Sequence, residues 1–242
     1  MKQHDAVILT LERLGGQATL AELYREVMKV KECNWGTRTP FASIRRIVQQ
    51  QPEIFKVRPG LWALRSYKDI LGLTEFSETK DISPELSDQN HSYYQGILVS
   101  LGNLRGFSTY VPNQDKNKLF VNEPLKELRS LQALPAFSHD LLVRRSSTID
   151  VIWFNKRLMP DSFFEVEHST DIQNSLLKFY DLKDFCARMI IVADENRKAE
   201  YKQKVSRGFL ADLQGRVKFL NYNTLVRQYE SEVFQASQTF TV

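Results

Sequence analysis

Two short apolar runs separated by seven residues constrain this chain more than any other feature. They are Ile149-Asp150-Val151-Ile152-Trp153-Phe154 and Ser162-Phe163-Phe164-Glu165-Val166-Glu167. Both are rich in β-branched and aromatic residues, so they read as strands, and the short interval between them makes a β-hairpin turning near 155–161. Each strand carries carboxylates inside its apolar stretch, which is costly unless something pairs with them. Side chains alternate along a strand, so Glu165 and Glu167 share one face while Phe164 and Val166 share the other. Antiparallel pairing about the turn sets Asp150 beside Glu165 or beside Glu167, and either register gathers three carboxylates. Their mutual repulsion is relieved by a cation. Hard oxygen ligands in this number suit Mg²⁺, which can activate water and stabilise charge building up on a phosphodiester. The competing reading is three carboxylates on a solvated sheet edge. The flanking Trp153, Phe154, Phe163 and Phe164 favour the metal.

The rest of the second half supplies a frame for the hairpin. His91 to Leu104 has helical spacing, and Phe107 to Val111 is a strand stopped by Pro112. Leu125, Leu128 and Leu131 suggest a short helix. Thr170 to Arg188 reads as a helix with the stripe Ile172, Leu176, Phe179, Leu182 and Cys186. Met189 to Ala193 is a buried strand, followed by a helix over about 197–212, a strand at Val217 to Leu220 and a short helix reaching Tyr229. The polar tail to Val242 is expected to fray. The order implies an α/β fold, a mixed sheet flanked by helices.

The charge of the chain is unevenly spread. The net charge is +4. Residues 1–68 hold twelve Lys/Arg against six Asp/Glu, residues 69–90 one Lys against six acids, and the remainder twenty basic against seventeen acidic residues. A basic head, an acidic Ser-rich linker over 69–90 and a body over 91–242 fit a nucleic-acid-binding module joined to a second domain. An uneven solvated surface is the plainer alternative. No apolar run approaches the roughly 18 residues of a membrane span, and the first residues have no signal-peptide core. Cys33 and Cys186 form no metal or redox motif. A reduced cytoplasmic setting is expected.

Within the head, Val7, Ile8, Leu11 and Leu14 mark one helix, stopped by Gly15-Gly16. Thr19 and Glu22 have the spacing of a capping box for a second. Thr39-Pro40 reads as the N-cap and first residue of a third, reaching about Gln51 with Phe41, Ile44 and Val48 inward. Phe55 to Leu64 forms a hairpin turning at Pro59-Gly60. Three helices and a hairpin make a winged helix, whose third helix can enter the major groove of double-stranded DNA. Ser43, Arg45, Arg46 and Gln49 would face the bases, with Arg38 and Thr39 at the helix start, while Lys56 and Arg58 on the wing would meet phosphates. A protein-docking winged helix is the alternative.

Two resemblances sharpen these expectations. The segments Gly15-Gly16-Gln17-Ala18-Thr19-Leu20-Ala21-Glu22-Leu23, Thr37-Arg38-Thr39-Pro40 and Gly60-Leu61-Trp62-Ala63-Leu64 resemble the HARE-type winged helix over residues 4–65. That module occurs in chromatin proteins and attached to restriction endonucleases, and the likeness implies sensing of DNA sequence or base modification. Residues 91–222 resemble the PD-(D/E)XK nuclease superfamily, in which an Asp on one strand and an acidic-x-Lys on the next bind metal. The resemblance gives Asp150 and Glu165 the acidic positions and puts Glu167 where Lys usually stands, a departure known among restriction enzymes that use Glu-x-Glu. It also points to Gln173, matching a glutamine near the site in Mrr-like relatives, and to Lys178 as a migrated lysine. Read from residues alone, Gln173 caps a helix with Thr170, Lys178 is a solvated charge, and His168 faces the other side of its strand. The combined expectation is a Mg²⁺-dependent DNA endonuclease with Asp150, Glu165 and Glu167 as ligands. It would work as a homodimer at least on DNA, since two strands need two sites. A non-catalytic DNA-binding regulator and an RNA nuclease are the alternatives.

Overall fold

Gly16 has φ of 91°, a backbone conformation open to glycine, and it turns the chain out of the first helix into a short strand. The elements of the head are α1 (Gln3–Arg13), β1 (Gln17–Thr19), α2 (Leu20–Glu26), α3 (Pro40–Gln50), β2 (Ile54–Arg58) and β3 (Leu61–Leu64). The computed structural model describes residues 1–37, 39–75, 84–168 and 171–238. The capping box forms: the Thr19 hydroxyl accepts from the Glu22 N–H at 3.1 Å, and Glu22 accepts from the Thr19 N–H at 2.6 Å. Thr39 differs from expectation. Its side chain caps no N–H, and α3 is started by Pro40 alone. The three strands form an antiparallel sheet in the order β1-β3-β2. Strand β1 is too short for its periodicity to have shown in the sequence. Ala6, Val7, Leu11, Leu23, Ile44, Val48 and Leu64 meet in one core.

The remaining elements are α4 (Pro84–Leu104), β4 (Ser108–Tyr110), β5 (Leu119–Phe120), β6 (Glu123–Pro124), α5 (Leu125–Leu128), α6 (Asp140–Ser146), β7 (Val151–Phe154), β8 (Pro160–Glu167), α7 (Ile172–Asp181), β9 (Arg188–Ala193), α8 (Lys198–Val205), β10 (Val217–Asn221) and α9 (Tyr222–Gln238). Four expected boundaries move. Helix α7 stops at Asp181, because β9 must begin at Arg188 to pair with Ser162 and the chain needs the interval to turn. Helix α8 ends at Val205, and Gly208 opens a separate 3₁₀ turn. Helix α9 runs to Gln238 rather than fraying after Tyr229, since Val233 is buried and the Phe234 ring packs on Phe41 at 5.3 Å. Of the acidic segment 69–90, residues 76–83 lie outside the described residues, and α4 begins at Pro84, seven residues before His91.

The chain divides into two compact units, Met1–Asp81 with Val226–Val242, and Ile82–Leu225. The second is built on a five-stranded sheet in the order β10-β9-β8-β7-β4. Strands β4, β7 and β8 pair antiparallel, and β8, β9 and β10 pair parallel. Both faces are covered, which explains apolar runs without clean alternation. Ile152, Phe154 and Phe163 pack with Ile172, Leu176 and Phe179 of α7. On the other face, the Trp153 indole N–H donates to the Leu98 carbonyl of α4 at 3.0 Å. Two glycines let α4 lie that close. A Cβ on Gly102 would sit 2.6 Å from Trp153 Nε1, and one on Gly96 would run into the Phe120 ring. No helix among the described residues is long and apolar enough to cross a membrane.

Candidate active site

Strand register brings the carboxylates together. Val151 pairs with Phe164, so the next pair outward is Asp150 with Glu165. The Asp150 N–H donates to Glu165 Oε1 at 3.3 Å, and the Val166 N–H donates to Asp150 Oδ2 at 2.8 Å. Glu165 and Glu167 continue the face of Phe163, the one packed on α7. All three are buried, at 7%, 2% and 4% exposure for Asp150, Glu165 and Glu167. That excludes a solvated edge. Burying one carboxylate costs several kcal/mol, and each neighbouring large apolar side chain contributes only about 1.5–3 kcal/mol. Three of them therefore need specific partners.

Helix α7 supplies two. Ser175 and Lys178 are three residues apart and share a helix face. The Ser175 hydroxyl lies between Glu165 Oε2, at 2.7 Å, and Glu167 Oε1. A hydroxyl has one hydrogen to give, so this bridge calls for a further proton or a cation between the two carboxyls. Lys178 Nζ donates to Glu165 Oε2 at 2.8 Å and to the Thr148 carbonyl at 2.9 Å. Lys178 is thus part of the cluster rather than the solvated charge its helix position suggested. Arg197 Nη1 stands 3.7 Å from Glu167 Oε2. The Tyr222 hydroxyl donates to the Glu167 carbonyl at 3.0 Å.

Gln173 lies about 160° around the helix from Ser175 at 100° per residue. It is exposed and is not brought to the carboxylates. Its backbone N–H donates to Asp171, which is the N-cap of α7 in place of the expected Thr170; Thr170 lies outside the described residues. His168 is half-buried, near Asn90 and the Tyr222 ring.

On the other side of Asp150 stand residues that sequence reasoning missed. His91 Nε2 is 3.5 Å from Asp150 Oδ1. The Gln95 amide donates to Asp115 Oδ2 at 3.0 Å and to the Asp150 carbonyl at 3.2 Å. His91 and Gln95 are four residues apart on α4, a polar pair on an apolar helix, and that was the available signal. Asp115 lies in a connecting loop with no local pattern to mark it.

Protonation follows from this packing. Burial and the Asp150 charge push Glu165 up to about 8, against the pull of Lys178 and Ser175. Asp150 is held below the usual carboxylate range: burial works against its charge, but His91 and Lys178 outweigh it. Burial opposes the positive charge of Lys178, yet Glu165 and Asp150 raise it above its ordinary value. The set is therefore an ionised Asp150, a charged Lys178 and a Glu165 that holds a proton until a cation replaces it. Oxygen donors at this density, with a hydroxyl shared between two of them, fit a hard divalent ion.

Within the first unit, Arg46 and Gln49 are exposed on α3, Thr39 is exposed before it, and Ser43 and Lys56 are half-buried. Arg38 lies outside the described residues. Arg45 is exposed, but its guanidinium is tied to Glu230 of α9 at 2.6 Å. Burial raises the Glu230 carboxyl, with Arg45 opposing. Phe41, Arg45, Arg46 and Gln49 of α3 face Arg227 and Phe234 of α9 across a cleft of about 500 Å³. Arg58 corrects the expectation of a phosphate-facing wing: it is only 8% exposed. A register shift between Lys56 and Arg58 breaks the alternation that would have set both on one face.

The model of the C-terminal domain of the type II restriction enzyme NmeDI matches residues 74–239 of this chain. The type II restriction enzyme NmeDI of Neisseria meningitidis serogroup C is 32% identical over 127 residues, covering 48% of this chain and 36% of that enzyme. The chain thus matches about a third of the length of this curated relative. No solved structure matches it.

Proposed function

The chain belongs to the family of the type II restriction enzyme NmeDI C-terminal domain, and on that premise we propose that it is a Mg²⁺-dependent endonuclease that hydrolyses phosphodiester bonds in double-stranded DNA. The observation that carries the proposal is the convergence of Asp150, immediately before β7, with Glu165 and Glu167, at the end of β8, beside the Lys178 ammonium. It supports reading the site as PD-(D/E)XK-like, with the lysine on the following helix instead of two residues after Glu165. Asp150, Glu165 and Glu167 would hold Mg²⁺, which when bound supplies Lewis-acid stabilisation of the phosphate and a more acidic water. Lys178 contributes positive charge where the attacking oxygen and the phosphate accumulate negative charge. Ser175 fixes the rotamers of Glu165 and Glu167, and Arg197 backs Glu167. The lysine is also what tells against a non-catalytic regulator, a reading that rested on Glu167 replacing it.

The head would act as a winged helix, with Arg46, Gln49 and Ser43 reading the major groove and Lys56 meeting a phosphate. Cutting both strands takes two such sites, hence a homodimer on DNA. Cleavage of duplex DNA in Mg²⁺ by the wild type, Asp150→Ala and Glu165→Ala tests the assignment. Loss of cutting in both variants is expected. Undiminished cutting by both overturns it.

A further inference from the structure

We infer that His91, Asp115 and Asp150 form a second cation site, sharing Asp150 with the first and suited to a first-row divalent ion such as Mn²⁺ over Mg²⁺. One ligand atom from each of the three residues lies within 4.8 Å of the other two. Two donors on one ion at ordinary bond lengths of about 2.0–2.2 Å stand at most about 4.4 Å apart, so small side-chain rotations close the three onto a single ion. The carboxylates are buried, Asp115 at 5% and Asp150 at 7% exposure, and His91 is half-buried.

The two oxygens of Asp150 have different neighbours. Oδ2 accepts from the Val166 N–H, while Oδ1 is the one 3.5 Å from His91 Nε2. A carboxylate can serve two cations in this way.

Gln95 points independently to a ligand. It is completely buried, and its amide nitrogen is bonded to Asp115 and to the Asp150 carbonyl. Its carbonyl oxygen, beside these same groups, has no hydrogen-bond partner. A buried acceptor is costly to leave unmade, and a cation or one of its waters would satisfy this one. Lys118 Nζ lies 2.9 Å from Asp115 Oδ1. It supplies positive charge to one oxygen, and each carboxylate oxygen keeps a second lone pair for a metal.

The donor set decides the ion. Imidazole nitrogen favours transition metals, and carboxylate oxygen is shared by Mg²⁺ and Mn²⁺. One nitrogen with two carboxylates selects the ion that accepts both. This second site bears on the proposed nuclease through Asp150, but its occupancy is measurable without DNA.

The experiment is a Mn²⁺ titration of the chelator-treated full chain, followed by electron spin-echo spectroscopy, with DNA cleavage assayed in parallel. The wild type should show nitrogen coupling to bound Mn²⁺. His91→Ala should lose that coupling while still binding Mn²⁺ through the remaining carboxylates. Asp115→Asn, nearly isosteric, should weaken the nitrogen-coupled ion at least about tenfold. Glu165→Gln should keep the coupling even where cleavage is lost. Bound Mn²⁺ without nitrogen coupling in the wild type, or coupling that survives in His91→Ala, overturns the second site. Either result leaves the nuclease reading to stand or fall on the cleavage arm, where Asp150→Ala decides it.

Discussion

Glu165→Gln separates a proton held by the fold from a charge held by the fold. The side chain is 2% exposed, and its carboxyl is moved from 4.5 to about 8. The folded protein therefore binds more protons than the unfolded chain between these values. An acid raised in this sense stabilises fully below pH 4.5, and that contribution is lost as pH rises through 8. With one pKa unit corresponding to about 1.4 kcal/mol, the loss between pH 5 and pH 8 is at most roughly 3–4 kcal/mol. Glutamine matches the protonated acid in shape and has no proton to lose. In chelator, the stability of Glu165→Gln relative to wild type should climb by roughly 3–4 kcal/mol between pH 5 and pH 8. Any pH-independent difference between the amide and the protonated carboxyl, including their contacts with Lys178, shifts the whole curve and leaves the slope intact. Urea denaturation at four pH values measures it, with equal m-values confirming that the same unfolding is compared. Saturating Mg²⁺ should restore the wild type at pH 8, because the ion replaces the proton, and should do far less for the variant. A stability difference that stays flat from pH 5 to pH 8, or that falls, refutes the reasoning.

Three further outcomes follow from the same geometry. Lys178→Met should lower the cleavage rate by roughly a hundred- to a thousandfold with little change in DNA affinity, and Lys178→Arg should recover part of it; single-turnover cleavage and filter binding read the two quantities. Thr19→Ala removes the hydroxyl that accepts from the Glu22 N–H, leaving the backbone half of the reciprocal cap on α2, and should cost about 1 kcal/mol in urea denaturation without altering metal binding by the second unit. Gly96→Ala forces a methyl group into the Phe120 ring and should cost about 1–3 kcal/mol, seen as a lowered thermal midpoint.

How much could be read in advance depended on the distance over which each signal acts. The hairpin of β7 and β8 was legible because alternation is local, and the seven residues between the runs left few registers. The Thr19 cap was legible because both partners lie within four residues. Read from residues alone, Lys178 passed for a solvated charge for the converse reason: on its own helix it is an ordinary lysine, and its acceptor Glu165 belongs to another element. Asp115 reaches Asp150 only after the chain has passed through β5, β6, α5 and α6, and His91 after β4 as well, and no periodicity encodes that return. The length of α9 was underestimated because residues 231–238 are mostly polar. What keeps them helical is the contact of Phe234 with Phe41, nearly 200 residues earlier.

The paired notches in α4 have a consequence beyond close packing. Gly96 and Gly102 are six residues apart, and each receives a different ring, Phe120 at one and Trp153 at the other. A helix held by a single notch can slip by a turn and still find an apolar neighbour. Two unlike teeth meshed with two unlike rings admit one setting, as a key admits one depth. His91 and Gln95 ride on the same shaft, so their distance to Asp150 is fixed by positions that carry no side chain at all. Polar residues on α4 can be exchanged one at a time to retune the site, whereas a methyl group at either notch would shift every donor on the helix together.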